Sequence, residues 1–336
     1  MAVTFPDGKR FAFTIFDDTD VGTLASLRPI YDLLAQLGLR TTKTVWPLDY
    51  LGSSAFAGSV TLEDPQYCDY LRTLQSQGFE IAFHGATMET ALRADTARAL
   101  ESFRNVFGHA PTSYAAHSHN RDNLYWGRHR FHSRLWRALY AATAGRGEPE
   151  YSGHVAGSDV YWLDLAPELR YVRSFTFAGV DLDKVTRRFP YSTAQTPRIK
   201  GWFPSCDADN VQEFVELLSD ENQSALESGR GICILSTHLG KGFVRNGRVR
   251  EDVVRVLESL SRRSGWFVPL TTLLDYVAAQ RGISRLSRWQ LFSMEGLWFL
   301  HTFRRRRTRR DYERSEAPYL IAAQEARQAR LQRGSG

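Results

Sequence analysis

The sequence predicts an α/β fold in which parallel strands alternate with helices. Three observations predict it. Short apolar runs of strand length recur along the chain, separated by segments of helical periodicity. Glycines such as Gly38, Gly78 and Gly108 stop those helical segments. Three of the apolar runs end on an acid or a histidine, at Asp17-Asp18, at His84 and at His238. Placing Asp and His at the C-terminal ends of parallel strands is how a barrel or an open α/β sheet builds a site.

The elements follow in order. Residues 10–16 read as a buried strand, 24–37 as a helix ending at Gly38, and 41–46 as a β-branched strand. Residues 49–58 form a loop of small residues. Residues 65–77 are amphipathic, with Tyr67, Tyr70, Leu71 and Leu74 on one stripe. A strand at 80–83 leads to His84, a helix spans 90–107, and a strand at 112–116 leads into His117-Ser118-His119-Asn120. Residues 121–170 are irregular and rich in Trp, Tyr and Arg. Strands are expected at 169–177 and 199–203, a helix at 210–227 stopped by Gly229, and a strand at 232–236 before His238. A helix at 250–262, a strand at 266–269 and a helix at 270–280 complete the α/β pattern. The character of the chain changes near Gly282, which divides it into an expected domain at 1–282 and an extension at 283–336.

Composition narrows the class. Of the 336 residues, 43% are hydrophobic and 24% charged, as in soluble globular proteins. Cys68, Cys206 and Cys233 are too few and too scattered for a disulfide framework or a zinc knuckle. The N-terminal residues show no apolar signal core, and no run approaches a membrane span, so the cytoplasm is the expected compartment. The net charge of +6 is uneven. Residues 281–336 hold 13 arginines and 5 acidic residues, whereas the first 280 residues hold 30 basic and 32 acidic ones. The body is therefore near neutral, and nucleic acid is not an expected partner for it.

The strand-end residues resemble the NodB-homology, or polysaccharide deacetylase, family over roughly residues 8–280. Its first motif is an Asp-Asp pair after a strand, matched by Thr14-Ile15-Phe16-Asp17-Asp18. Its second begins with a strand-end His, matched by His84-Gly85, and its last is Leu-x-His, matched by Leu235-Ser236-Thr237-His238 with one extra residue. The resemblance implies a distorted (β/α) barrel that removes acyl groups, typically N-acetyl, from sugars with a divalent metal, zinc above all. Two positions depart from it. The second His of motif two is Met88, a soft ligand ill-suited to Zn²⁺ beside a carboxylate. The Arg and Pro of motif three are absent where His117-Ser118-His119-Asn120 stands.

These residues suggest a chemistry. Asp18, His84 and either His119 or His117 would hold the metal, with His119 favoured by its motif position. On extended backbone His117 and His119 project to one side. Asp17 would act as general base and His238 as general acid. Asp181, Asp183 and Asp207 all qualify to orient His238. His117, Asn120 and Trp126 are expected to touch substrate, and Trp162 with Tyr125 and Tyr161 adds aromatic surface for a sugar ring. Asp17, Asp18 and Asp20 also suit helix capping. Two other readings fit the altered motifs: a metal-independent hydrolase of a non-sugar amide, and a non-catalytic carbohydrate-binding or scaffold barrel.

The tail carries its own signal. Residues 288–303 are aromatic-rich and 304–310 hold six arginines. Packing on the barrel or on a partner, contact with an anionic membrane surface, and nonspecific nucleic-acid binding all suit this pattern. The last is the least favoured. An acylated sugar or glycoconjugate is the expected substrate, lipid- or nucleotide-linked given the compartment.

Overall fold

The apolar run at the N-terminus becomes strand β1 (Phe11–Asp17), with all seven residues buried. The computed structural model describes residues 3–54, 56–117 and 119–305, and positions 324, 325, 327–329 and 332 of the C-terminal segment. After β1 come α1 (Leu24–Gln36), β2 (Thr42–Val45), α2 (Pro65–Ser76), β3 (Glu80–Phe83), α3 (Arg93–Phe107) and β4 (Ser113–Tyr114). A long irregular stretch holds α4 (Arg134–Ala142) and leads to β5 (Tyr171–Phe177), β6 (Tyr191–Ser192) and β7 (Gly201–Asp207). Then follow α5 (Val211–Leu217), α6 (Asp220–Gly229), β8 (Ile232–Thr237), and a hairpin of β9 (Val244–Arg245) and β10 (Arg248–Val249). The order closes with α7 (Glu251–Ser261), β11 (Gly265–Phe267), α8 (Leu270–Arg281), β12 (Ser284–Arg285) and α9 (Arg288–Arg305).

Seven strands pair in parallel in the order β1-β2-β3-β4-β5-β7-β8. The last pairs with β1 from Ala12↔Ile232 to Asp17↔Thr237, so the sheet closes on itself as a (β/α) barrel. Closure removes the sheet edges and directs every C-terminal strand end to one mouth. Glu80 ties the opposite end together. Its carboxylate accepts from the hydroxyls of Thr42 (2.9 Å) and Ser113 (2.7 Å) and from Thr271 N–H (2.8 Å).

Local chemistry accounts for the departures from the sequence reading. The helix expected at 210–227 is two. Asn210 caps α5 by accepting from Glu213 N–H at 2.9 Å, and Ser219 caps α6 by accepting from Asn222 N–H at 3.4 Å. The left-handed residue that ends α6 is Arg230 (φ 52°), one place after the glycine expected to stop it. Helix α3 begins at Arg93 rather than near residue 90. Residues 121–170 are irregular as expected, yet Leu124, Phe131, Tyr151 and Trp162 are buried in or against the core.

The segment read as an extension joins the sheet outside the barrel and packs against the body of the chain. Strand β12 pairs in parallel with β6, which itself runs antiparallel to β7. On α9, Leu291, Met294, Trp298 and Phe299 are buried; Trp298 packs on the rings of Phe131, Tyr140 and Phe175, and Phe299 on that of Phe131. Glu295, with no exposed surface, accepts from the backbone N–H groups of His132 (2.6 Å) and Ser133 (3.1 Å) where α4 begins. Residues 306–310 of the arginine run and most of 311–336 lie outside the described residues.

Candidate active site

Side chains alternate along a strand, and this alternation sorts the acids at the end of β1. Phe16 faces inward, edge-on to Phe203 of β7. Asp17 therefore faces outward, into the layer between barrel and helices. There it is fully buried: Tyr31 O–H donates to Oδ2 at 2.8 Å, Lys43 Nζ stands 3.1 Å away, and Leu239 N–H donates to Oδ1 at 2.8 Å. Asp17, expected as the base, is instead a strut joining β1, α1, β2 and the loop after β8. Burial and this carboxylate together raise the Tyr31 hydroxyl well above its ordinary pKa.

Asp18 returns to the interior. Both of its oxygens accept from Arg173 of β5, at 2.9 and 2.7 Å, and Arg173 also donates to Ser236 Oγ. Burial alone would raise the Asp18 pKa, but the Arg173 guanidinium outweighs it, with His84 and His238 adding to the effect. The net shift is downward and keeps the carboxylate ionised at neutral pH. A carboxylate engaged by a guanidinium fork at both oxygens is a poor metal ligand, so the ligand role expected of Asp18 is not supported by its geometry.

Asp20 is the centre of the cluster. His84 Nε2 lies 3.3 Å from Oδ1, and the Nε2 atoms of His117 and His238 lie 3.6 and 3.4 Å from Oδ2. These histidines follow β3, β4 and β8, so three strand ends converge on one acid. Asp20 keeps a fifth of its side chain exposed, whereas His84 and His117 are almost entirely buried. Burial would raise the Asp20 pKa, but the surrounding imidazoles, His117 foremost, hold it well below the carboxylate range. Burial pushes His84 down, and Asp18 and Asp20 only partly oppose it. In His117 the same burial is overcome by Asp20, so its pKa rises. His238 is also raised, because Asp209 and Asp20 outweigh burial and the nearby Lys241.

His238 has an orienting partner that was not among the expected ones. Its Nδ1 faces Asp209, 3.2 Å from Oδ1 and 3.0 Å from the backbone carbonyl, which leaves Nε2 turned to Asp20 and Asp18. The expected orienters are elsewhere. Asp181 accepts from the backbone at Asp183 and Ile232, Asp183 pairs with Arg281 at 2.8 Å, and Asp207 ends β7 two residues before Asp209.

The remaining expected residues divide. His119 sits in a turn and is exposed, so of the two histidines the cluster takes His117. His117 is thereby a cluster member rather than a substrate contact, with the Phe56 ring 4.8 Å and the Trp46 ring 4.9 Å from its own. Asn120 is buried near this turn, with Oδ1 unpartnered and Nδ2 donating to Thr87 O at 3.4 Å. Trp126 is half-buried, with the Arg130 guanidinium 4.1 Å from its ring centroid. Trp162 is a core residue that donates to the Asp122 carbonyl at 2.6 Å. Met88 is buried with its sulfur near Gly58, and a second imidazole beside Asp20 is that of His117.

The donor set suits a divalent cation. Asp20, His84 and His117 are carboxylate and imidazole donors of the types a divalent cation takes, with the two Nε2 atoms 3.3 and 3.6 Å from the Asp20 oxygens. Asp20 Oδ1 is buried with no well-aligned hydrogen bond, although His84 Nε2 is 3.3 Å away; the orphaned nitrogens of His84 and His117 are the Nδ1 atoms, on the ring edges opposite those that face Asp20. Among the described residues no three such side chains already enclose one bonding point. The donors face a shared carboxylate rather than a finished cage.

No family model matches the chain, and no curated protein matches it. Solved structures do. The chain is similar to a Mycobacterium smegmatis protein proposed to be a polysaccharide deacetylase, at 16% identity over 85% of this chain and 97% of that one, with a TM-score of 0.49. It is similar to the PuuE allantoinase at 11% identity over 83% and 93% of the two chains, TM-score 0.46. The peptidoglycan deacetylase PdaC from Bacillus subtilis is similar at 12% identity over 83% and 95%, TM-score 0.40. The strand pairing of the barrel stands independently of these similarities.

Proposed function

We propose that this barrel is a metal-dependent hydrolase that removes an acyl group, N-acetyl in the simplest case, from a sugar or sugar-linked substrate. The observation that carries the reading is the convergence of three imidazole Nε2 atoms on Asp20 at the mouth of the barrel, with a second, arginine-bound carboxylate alongside. Asp20, His84 and His117 would hold the metal, three protein ligands that leave a position open. A bound divalent ion would supply Lewis acidity toward the acyl oxygen and an acidified water.

The chain's own residues do the rest. Asp18 lies within 4.0 Å of both His84 and His238 and is kept ionised by Arg173, so it is placed to accept a proton as general base. Asp209 fixes the tautomer of His238, which presents Nε2 to the site and hands its proton to the leaving nitrogen. Compared with the sequence reading, the base moves from Asp17 to Asp18, the ligand acid from Asp18 to Asp20, and the third ligand from His119 to His117. The similar solved structures include deacetylases and an allantoinase, which accords with C–N bond hydrolysis.

The test is acetate release from N-acetylated oligosaccharides with added Zn²⁺, for wild type and for Asp18→Asn and His238→Ala. Turnover in wild type that falls by about 10²-fold or more in each variant supports the assignment. Unchanged turnover in Asp18→Asn removes that residue as base.

A further inference from the structure

A surface away from the cluster has no role in this chemistry. Helix α9 presents one face to an open groove of about 870 Å³ between itself, α4 and residues 185–188. Trp136, Leu297 and Leu300 line it, and Trp289 stands at its side, 80% exposed. Leu300 is 59% exposed. Large apolar side chains held this far into water mark a contact surface.

The charge around the groove identifies the contact. Its lining includes Arg187 and Arg188 and no acidic residue, and Arg134, Arg285 and Arg288 are exposed on the flanking segments. The chain then continues from α9 into 304–310, six arginines in seven residues. The first 280 residues are slightly acidic in sum, so the positive charge gathers where the apolar surface is. A second copy of the same cationic face would be repelled across a two-fold interface. Nucleic acid would engage the arginines and could stack a base on Trp289, but it would leave the aliphatic Leu300 in water. An anionic bilayer satisfies both features: aromatic and aliphatic side chains enter the acyl boundary while arginines meet headgroup phosphates. Among the described residues no helix is long and apolar enough to cross a membrane, so α9 would lie along the surface.

We propose that the α9 groove docks this protein on anionic lipid bilayers, with Trp289 and Leu300 inserted and Arg187 and Arg188 on the headgroups. The experiment is co-sedimentation of the full chain with vesicles of phosphatidylcholine alone and of equal parts phosphatidylcholine and phosphatidylglycerol. The proposal expects binding to the mixed vesicles only, weakened by salt. Trp289→Ser with Leu300→Ser should weaken it about tenfold or more, and each of Arg187→Gln and Arg188→Gln several-fold. Both apolar positions are exposed, so the variants keep the fold, which circular dichroism checks. Undiminished binding by the Trp289→Ser, Leu300→Ser variant would overturn the proposal, because the arginine run alone would then explain the affinity. Absence of vesicle binding, with or without concentration-dependent self-association, would overturn it as well. The readout is independent of turnover, so its failure leaves the hydrolase reading untouched.

Discussion

Glu295 offers a quantitative test of how the C-terminal helix is seated. Its carboxyl has no exposed surface and accepts two backbone N–H groups at the start of α4. Burial raises its pKa from 4.5 to about 7, with the two N–H donors and Arg137 only partly offsetting it. The folded protein therefore keeps a proton that the unfolded chain has lost between those values. Stability from this group is fully present below pH 4.5 and is lost as the pH rises toward 7. At ~1.36 kcal/mol per unit the loss is about 3 kcal/mol, a large fraction of a typical folding free energy. Glu295→Gln keeps an acceptor and carries no titrating proton, so its cost is constant with pH. Urea unfolding of both proteins at intervals from pH 4.5 to 7.5 measures the difference. Wild type should lose its advantage by about 3 kcal/mol across that window. Parallel stability curves would refute a buried, proton-holding Glu295 and the docking of α9 that goes with it.

Other predictions follow from the same structure. Arg173→Met leaves Asp18 as an uncompensated buried charge, so urea unfolding should show a loss of about 3–5 kcal/mol; a loss under 1 kcal/mol would contradict the pairing. Asp209→Asn should lower kcat about tenfold with KM little changed and shift the limb of the pH profile set by the general acid downward, because His238 loses the neighbouring charge that raises its pKa while the Asp209 backbone carbonyl still holds Nδ1. Asp122 is fully buried, and burial raises its pKa to about 7. Asp122→Asn should therefore remove a second downward slope of stability between pH 4 and 7, which the same urea series reads as a flatter profile.

Much of this was legible in the sequence. The strands ending at Asp17, His84 and His238 lie within the consecutive barrel run β8-β1-β2-β3, and they were legible because apolar period and strand-end chemistry both survive in sequence. What failed was register. Whether Asp17 or Asp18 enters the site depends on which face of β1 looks inward, and a strand such as Phe11–Phe16, apolar but for Thr14 and buried throughout, shows no alternation to say so. Asp20 had a signal that went unused. The cap of α1 is Thr23, which forms a capping box with Ser26, so the acid three residues earlier was free for another purpose. Arg173 had one as well, since a charge inside the strand 169–177 demands a buried partner. The arginine that meets Asp18 comes from β5, one strand after the 117–121 turn in which the resemblance led one to look for an arginine. Asp209 and the seating of α9 depend on contacts between distant segments, which local pattern does not encode.

In the proposed function Asp20 is the acid around which His84 and His117 would hold a metal. The most direct measurement is elemental analysis of the untagged protein after reconstitution with Zn²⁺, for wild type and for Asp20→Ala, His117→Ala and His119→Ala. Stoichiometric metal in wild type and His119→Ala, lost in Asp20→Ala and His117→Ala, is the predicted result. Metal retained by Asp20→Ala, lost in His119→Ala, or never bound by wild type would contradict it.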